Sequence, residues 1–177
     1  MRDEGNSSTG ETMERYILSA LVQNHAGVLS RVSGLFSRRG YNIDSLTVGE
    51  TVDPGVSRMT IVVRGDEAIL EQIQKQLEKL IEVAAVKRLD PNLAVLREIA
   101  LIKVAASPES RPDIIQIANI FRARIVDVAA DSLIVETTGA QSKVDGLIEL
   151  LKPFGILELA RTGLSALERG SLILSLI

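Results

Sequence analysis

The 177-residue chain contains no cysteine, no tryptophan and a single histidine, His25. Without cysteine there is no disulfide framework, no thiolate nucleophile and no cysteine-ligated zinc or iron–sulfur site, and the composition fits a reducing compartment. The lone histidine argues against a metal cluster. Aromatic residues are 3% of the chain, which removes most of the stacking platforms that RNA-binding sheets use. No cluster of Lys and Arg replaces them as an electrostatic footprint. No apolar run approaches the roughly 18 residues of a membrane span, and Met1 to Thr12 lacks the basic start and apolar centre of a secretory signal. These absences predict a cytoplasmic protein that binds neither nucleic acid nor membrane.

What is present is a globular composition, 46% hydrophobic and 24% charged, with 20 Lys+Arg against 23 Asp+Glu for a net charge of −3. It rules out whole-chain disorder and suits one average domain or two small ones. Tyr16 to Val22 reads as a buried strand, and the turn Gln23 to Gly27 follows it. Val28, Leu29, Val32, Leu35 and Phe36 then mark one face of a helix, with Arg38 and Arg39 at its negative end and Gly40 as its left-handed stop. Ile43 to Val48 and Ser57 to Val63 read as a hairpin around Asp53-Pro54-Gly55. Asp66 is the expected cap of a second helix with the stripe Ile69, Leu70, Ile73, Leu77, Leu80 and Ile81, and Val83 to Leu89 is a fourth strand.

This β-α-β-β-α-β order is that of a ferredoxin-like unit, an antiparallel sheet carrying both helices on one face. The other face needs cover from another copy if apolar, and can meet water if polar. The order then recurs: a strand at Ile99 to Ala105, a helix started by Ser110 and Pro112 with Ile114, Ile117, Ala118 and Phe121 inward, and strands at Val126 to Ala130 and Leu133 to Thr137. A last helix capped by Ser142, with Val144, Leu147, Ile148 and Leu151 inward, closes at Pro153 and Gly155 before Ile156 to Arg161. The fold class expected is therefore α+β, two tandem ferredoxin-like domains. Asn42-Ile-Asp44 and Ile125-Val-Asp127 take matching places after the first helix of each half. Each half is small, so pairing within or between chains is expected.

No nucleophile with its base, perturbed carboxylate pair or metal cluster is visible. His25 reads as a solvent-facing turn residue, and Asp44 and Glu50 could approach one another on the sheet. Gly34, Gly40 and Gly49 lack the spacing of a phosphate loop or dinucleotide fingerprint. The place of interest is Asn24-His25-Ala26-Gly27 with Tyr41-Asn42-Ile43. A helix start offers free N–H groups and partial positive charge, so a ligand carboxylate suits Gly27 and Val28. The amides of Asn24 and Asn42 carry the donors and acceptors an amino acid requires. The same residues also read as plain turn chemistry, with Asn24 a cap, Gly27 a turn glycine and Asn42 a turn exit.

Asn24-x-x-Gly27-Val-Leu-Ser-Arg-Val32, Gly34-Leu-Phe-Ser-x-Arg-Gly-Tyr-Asn-Ile43, Ser45-Leu-Thr-Val48 and Ser57-Arg-Met-Thr-Ile61 closely resemble the small, regulatory subunits of acetolactate synthase, or acetohydroxyacid synthase. The second half resembles them through Arg97-Glu-Ile-Ala-Leu-Ile-Lys-Val104, Ile120-Phe-Arg122 and Ala160-Arg-Thr-Gly163, so the resemblance runs from Met13 to Gly170. It implies an N-terminal ACT domain at 13–90, a linker at 91–95 and an ACT-like domain at 96–170, flanked by the polar extension 1–12 and an apolar tail 171–177. Such subunits are not catalysts. They pair as dimers through their ACT domains, activate the large catalytic subunit and confer feedback inhibition by valine. The thiamine diphosphate, FAD and Mg expected in the complex belong to that catalytic partner. By motif, the effector contacts become Asn24, the Gly27 and Val28 backbone, Asn42 and Ile43, at an interface of two ACT domains. Ser30, one turn on, acts on the site indirectly, and the loop Glu50 to Ser57 is expected to touch the enzyme. The alternatives are an ACT-type amino-acid sensor of a different biosynthetic enzyme and an acylphosphatase-like hydrolase. The hydrolase is disfavoured because Gln23 to Val28 holds no arginine for phosphate.

Overall fold

Apolar residues at Tyr16–Val22 form the buried body of β1 (Glu14–Gln23), and a short turn carries the chain into α1 (Val28–Arg39) in the computed structural model, which describes residues 14–175. The polar extension Met1 to Thr12 and the tail end Leu176–Ile177 lie outside the described residues. α1 buries Val28, Val32, Leu35 and Phe36, whereas Leu29 is exposed, and the helix stops at Gly40 as its sequence predicts. The hairpin of β2 (Ile43–Glu50) and β3 (Val56–Gly65) turns where Asp53 Oδ1 accepts from the Gly55 amide at 2.8 Å. Asp66 caps α2 (Glu67–Leu77), accepting from the Ile69 amide at 2.7 Å. The helix ends before its apparent stripe does, because Val83 N donates to Leu80 O and turns the chain into β4 (Val83–Leu89), leaving Ile81 84% exposed.

The pattern repeats as β5 (Ala94–Ala105), α3 (Arg111–Ile120), β6 (Arg124–Val128), β7 (Ser132–Gly139), α4 (Gln141–Leu151) and β8 (Ile156–Arg161). Ser110 stands at the start of α3 as read, its hydroxyl spent on Ser107, whereas the expected cap of α4 differs: Ala140, not Ser142, precedes that helix. β6 begins two residues earlier than its apolar residues suggest, since its pairing with β7 starts at Arg124 opposite Glu136. One element has no sequence forecast: β9 (Ser165–Glu168), which pairs with the first residues of β5, Ala94 to Arg97. β5 is longer than read for the same reason.

The two antiparallel sheets have the same order, β2-β3-β1-β4 and β6-β7-β5-β8. The edge strand after the first helix carries a register shift in both, between Ile43 and Ser45 and between Ile125 and Asp127. In the first sheet, Leu18, Ala20 and Val22 of β1 and Met59, Ile61 and Val63 of β3 face α1 and α2. Ala100, Ile102, Val104, Leu133 and Val135 do the same beneath α3 and α4. The opposite face of the first sheet is covered in part by the chain's own second half. Ile17, Val62 and Leu89 pack there on Ala94, Leu164 and Ala166. The β5–β9 ribbon thus supplies cover that the sequence would equally assign to another copy.

Candidate functional site

The turn after β1 is tied to the β2–β3 hairpin by Asn24. Its backbone amide donates to Gly55 O at 2.8 Å, and its side-chain Nδ2 donates to Glu50 Oε1 at 3.0 Å and Pro54 O at 2.9 Å. Asn24 is therefore not the helix cap. That position belongs to Gly27, whose φ of +92° and ψ of −19° place it in the left-handed region that favours glycine. With Gly27 there, α1 has no side-chain cap and no acidic residue in its first turn. First-turn amides lack intrahelical acceptors, so this helix start attracts a carboxylate. Val28 anchors it in the core while Leu29 is 47% exposed beside it. His25 is exposed and bound locally, Nδ1 to Ala26 O and Nε2 to Gln23 Oε1, both at 3.0 Å.

Asn42 and Ile43 lie at the opposite end of the sheet. Ile43 pairs with Val63, whereas Glu50, beside Asn24, pairs with Ser57. The eight residues of β2 separate the two groups by about 25 Å at 3.3 Å per residue. Within one chain the fold brings Asn24, Gly27 and Val28 together and Asn42 and Ile43 together, but not the two groups. Asp44 and Glu50 do not meet either, since they occupy opposite ends of one strand. Asp44 instead accepts from Asn42 Nδ2 at 3.4 Å and from Arg64 Nε at 2.7 Å, with Arg15 Nε at 3.3 Å. Among the described residues β2 is an edge strand, with no strand paired on its outer side.

One residue beside the helix start escaped the sequence reading. Glu82, in the turn before β4, is 5% exposed; its carbonyl accepts from the Gln23 amide at 2.8 Å and its Oε1 lies 2.5 Å from Arg31 Nη1. It clamps the first turn of α1 to the end of β1, and only its place after a leucine stripe hinted at burial. Among the described residues, no group of three or more His, Asp or Glu could hold a metal ion, and no helix is long and apolar enough to cross a membrane.

The halves of the chain match two family models: an "AHAS small subunit-like ACT domain" over residues 18–85 and the "small subunit of acetolactate synthase" over residues 97–170. A probable acetolactate synthase small subunit of Methanothermobacter thermautotrophicus is 57% identical over 159 residues, covering 89% of this chain and 95% of the relative. The acetolactate synthase small subunit of Bacillus subtilis is 49% identical over 88% of this chain and 91% of its own length. A crystal structure of the Thermotoga maritima small subunit superposes with a TM-score of 0.85 at 46% identity, covering 90% of this chain and all of that one. Two ferredoxin-like units in this order, an uncapped helix start flanked by asparagine and relatives matched along nearly their full length agree: the chain belongs to the acetolactate synthase small-subunit family, the regulatory and non-catalytic partner of a catalytic large subunit.

Proposed function

We propose that this chain activates the catalytic subunit of acetolactate synthase and confers feedback inhibition by valine, working in the cytoplasm as a homodimer joined through its ACT domains. In this reading residues 13–90 sense the effector and 96–170 form the second ACT-like domain. Thiamine diphosphate, FAD and Mg reside on the catalytic partner.

The observation that carries the proposal is the uncapped, acid-free start of α1 at Gly27 and Val28, reached by a turn in which the Asn24 amide is tied to the β2–β3 hairpin. The effector's carboxylate takes the helix amides. Asn24 and Asn42 orient its polar end, and Val28 and Ile43 shape a small apolar pocket. The distance between the two groups accounts for the dimer. If two copies pair antiparallel through their β2 edges, the Asn24 end of one chain meets the Asn42 end of the other, and the site is composite. Valine then ties the copies together, and its preference for one arrangement supplies a coupling commonly worth about 1–3 kcal/mol. The hairpin loop between Glu50 and Ser57, anchored on Asn24, extends toward the enzyme.

The test is acetolactate formation by the cognate catalytic subunit, alone and with this chain, with and without valine. Activation that valine reverses is the expected result. Asn42→Ala should raise the valine concentration for half-inhibition tenfold or more while activation persists, and Asn24→Ala should raise it as much while also weakening activation, because it frees the hairpin loop held at Glu50 and Pro54. In a mixed dimer with one Asn24→Ala chain and one Asn42→Ala chain, a composite site leaves one of two sites intact and half the response. Unchanged inhibition in both single variants would overturn the site, and binding of valine without any effect on acetolactate formation would make the chain the sensor of another enzyme.

A further inference from the structure

The end of the first sheet that carries Asn42 and Ile43 rests on the second domain. There the register shift between Ile43 and Ser45 leaves Asp44 without a partner on β3, and such a bulge re-aims the side chain it carries. The Asp44 side chain is 11% exposed, and three donors converge on it: Arg64 Nε at 2.7 Å, Arg15 Nε at 3.3 Å and, more loosely, Asn42 Nδ2 at 3.4 Å. Arg15 also reaches out of its own domain, its Nη1 donating at 2.6 Å to Oε1 of Gln141, the first residue of α4. A polar chain of Asn42, Asp44, Arg15 and Gln141 thus runs from one domain to the start of a helix in the other. Around it the domains are not close-packed. A cavity of about 530 Å³ lies at the seam, lined by Arg15, Asp44 and Arg64 from the first domain and by Glu98, Gln141 and Arg161 from the second. Among the described residues Arg64 pairs only within the first domain and Arg161 only within the second, with Glu98 and Asp145. Arg15 alone of the three has a partner in each.

From this chain of contacts across a loosely packed seam we propose that Arg15 is the positioning residue that carries the effector's presence from the first domain to the second. The inference rests on the function proposed above and names the regulation of that same site. An effector that engages Asn42 takes the amide from which Asp44 accepts. Asp44 has then lost a donor, and its carboxylate draws the remaining cations closer. Arg15 closes on Asp44 through Nε, which pulls Nη1 away from Gln141 and lets the second domain shift into the cavity. The seam therefore has two arrangements, Gln141 held and Gln141 released, and the effector selects between them by its differential affinity. Thr47 Oγ1, bonded to Thr162 O at 3.1 Å, keeps β2 seated on the second domain in both.

The experiment reconstitutes the complex with the cognate catalytic subunit and reads three quantities for each variant: activation, valine affinity of the chain alone by calorimetry, and inhibition at saturating valine. Arg15→Met keeps the aliphatic stem and removes the cation, Gln141→Leu removes the acceptor at similar volume, and Gln141→Glu keeps an acceptor for Arg15. Thermal melts check that each is folded, and if Arg15→Met melts early the Gln141 pair decides. Arg15→Met and Gln141→Leu are expected to bind valine within about threefold of wild type and still activate, yet to lose half or more of the maximal inhibition, because the coupling is cut and not the site. Gln141→Glu is expected to retain it. Full inhibition in folded Arg15→Met and Gln141→Leu, or a loss in Gln141→Glu equal to that in Gln141→Leu, would overturn the proposal. So would a tenfold loss of valine affinity in Arg15→Met, which would make Arg15 part of the effector site itself. If the wild-type chain binds no valine, the function on which the proposal rests fails, and the proposal with it.

Discussion

Single residues decide how the two ends of the first sheet behave. Gly27 is needed for its backbone alone, because a Cβ there would meet nothing within 4 Å while φ is +92°. Gly27→Ala should therefore lose about 1–2 kcal/mol, the cost of a left-handed L-residue, read as a lower urea midpoint with unchanged slope. Gly163 is needed twice over. Its φ is +81°, and a Cβ would stand 3.0 Å from Ser45 Cβ and 3.2 Å from Thr47 Oγ1 of the other domain. Gly163→Ala should lose more than Gly27→Ala, and Ser45→Gly in the same chain should recover part of the loss in a double-mutant cycle. Gly27 was legible because it follows a strand and opens a helix. The demand on Gly163 was not, since Ser45 and Thr47 lie more than a hundred residues away in sequence and only packing sets them against it.

At the scale of elements, local rules succeeded where the chain's neighbours along the sequence supply the partners. Asp66 capping α2 is such a case, and Asp66→Ala should lose about 1 kcal/mol whereas Asp66→Asn, which still accepts from Ile69 N, should lose less. Chemical denaturation of the two variants side by side checks this. The same rule failed at Ser142, because α4 starts directly from the strand end at Ala140 and leaves Ser142 inside the helix. It failed again at Ile81, whose spacing continues the α2 stripe although the helix has already ended at Leu77. β9 was illegible for another reason. Its four residues, Ser165 to Glu168, become a strand only because Ala94 to Arg97 offer them an edge.

For the whole molecule, the decisive contact is the cluster joining the halves. Leu164 is 6% exposed between Ile17, Val62 and Leu89 of the first sheet and the ribbon itself. Leu164→Ala should lose about 2–4 kcal/mol. It should also split thermal unfolding into two transitions, by calorimetry, as the domains uncouple. Polar contacts reinforce this joint, with Thr47 Oγ1 donating to Thr162 O at 3.1 Å and Arg15 Nη1 to Gln141 Oε1 at 2.6 Å. The sequence by itself determined the two βαββαβ units, their helix-facing cores, the turn residues Asn24, Gly27 and Asn42, and the family, because periodicity, turn chemistry and motif are carried by neighbouring residues. Tertiary structure alone decided that the second half covers part of the first sheet's open face. It also decided that Asn24 and Asn42 stand a strand's length apart, because a strand's direction across a sheet is set by long-range pairing rather than by the residues at its ends.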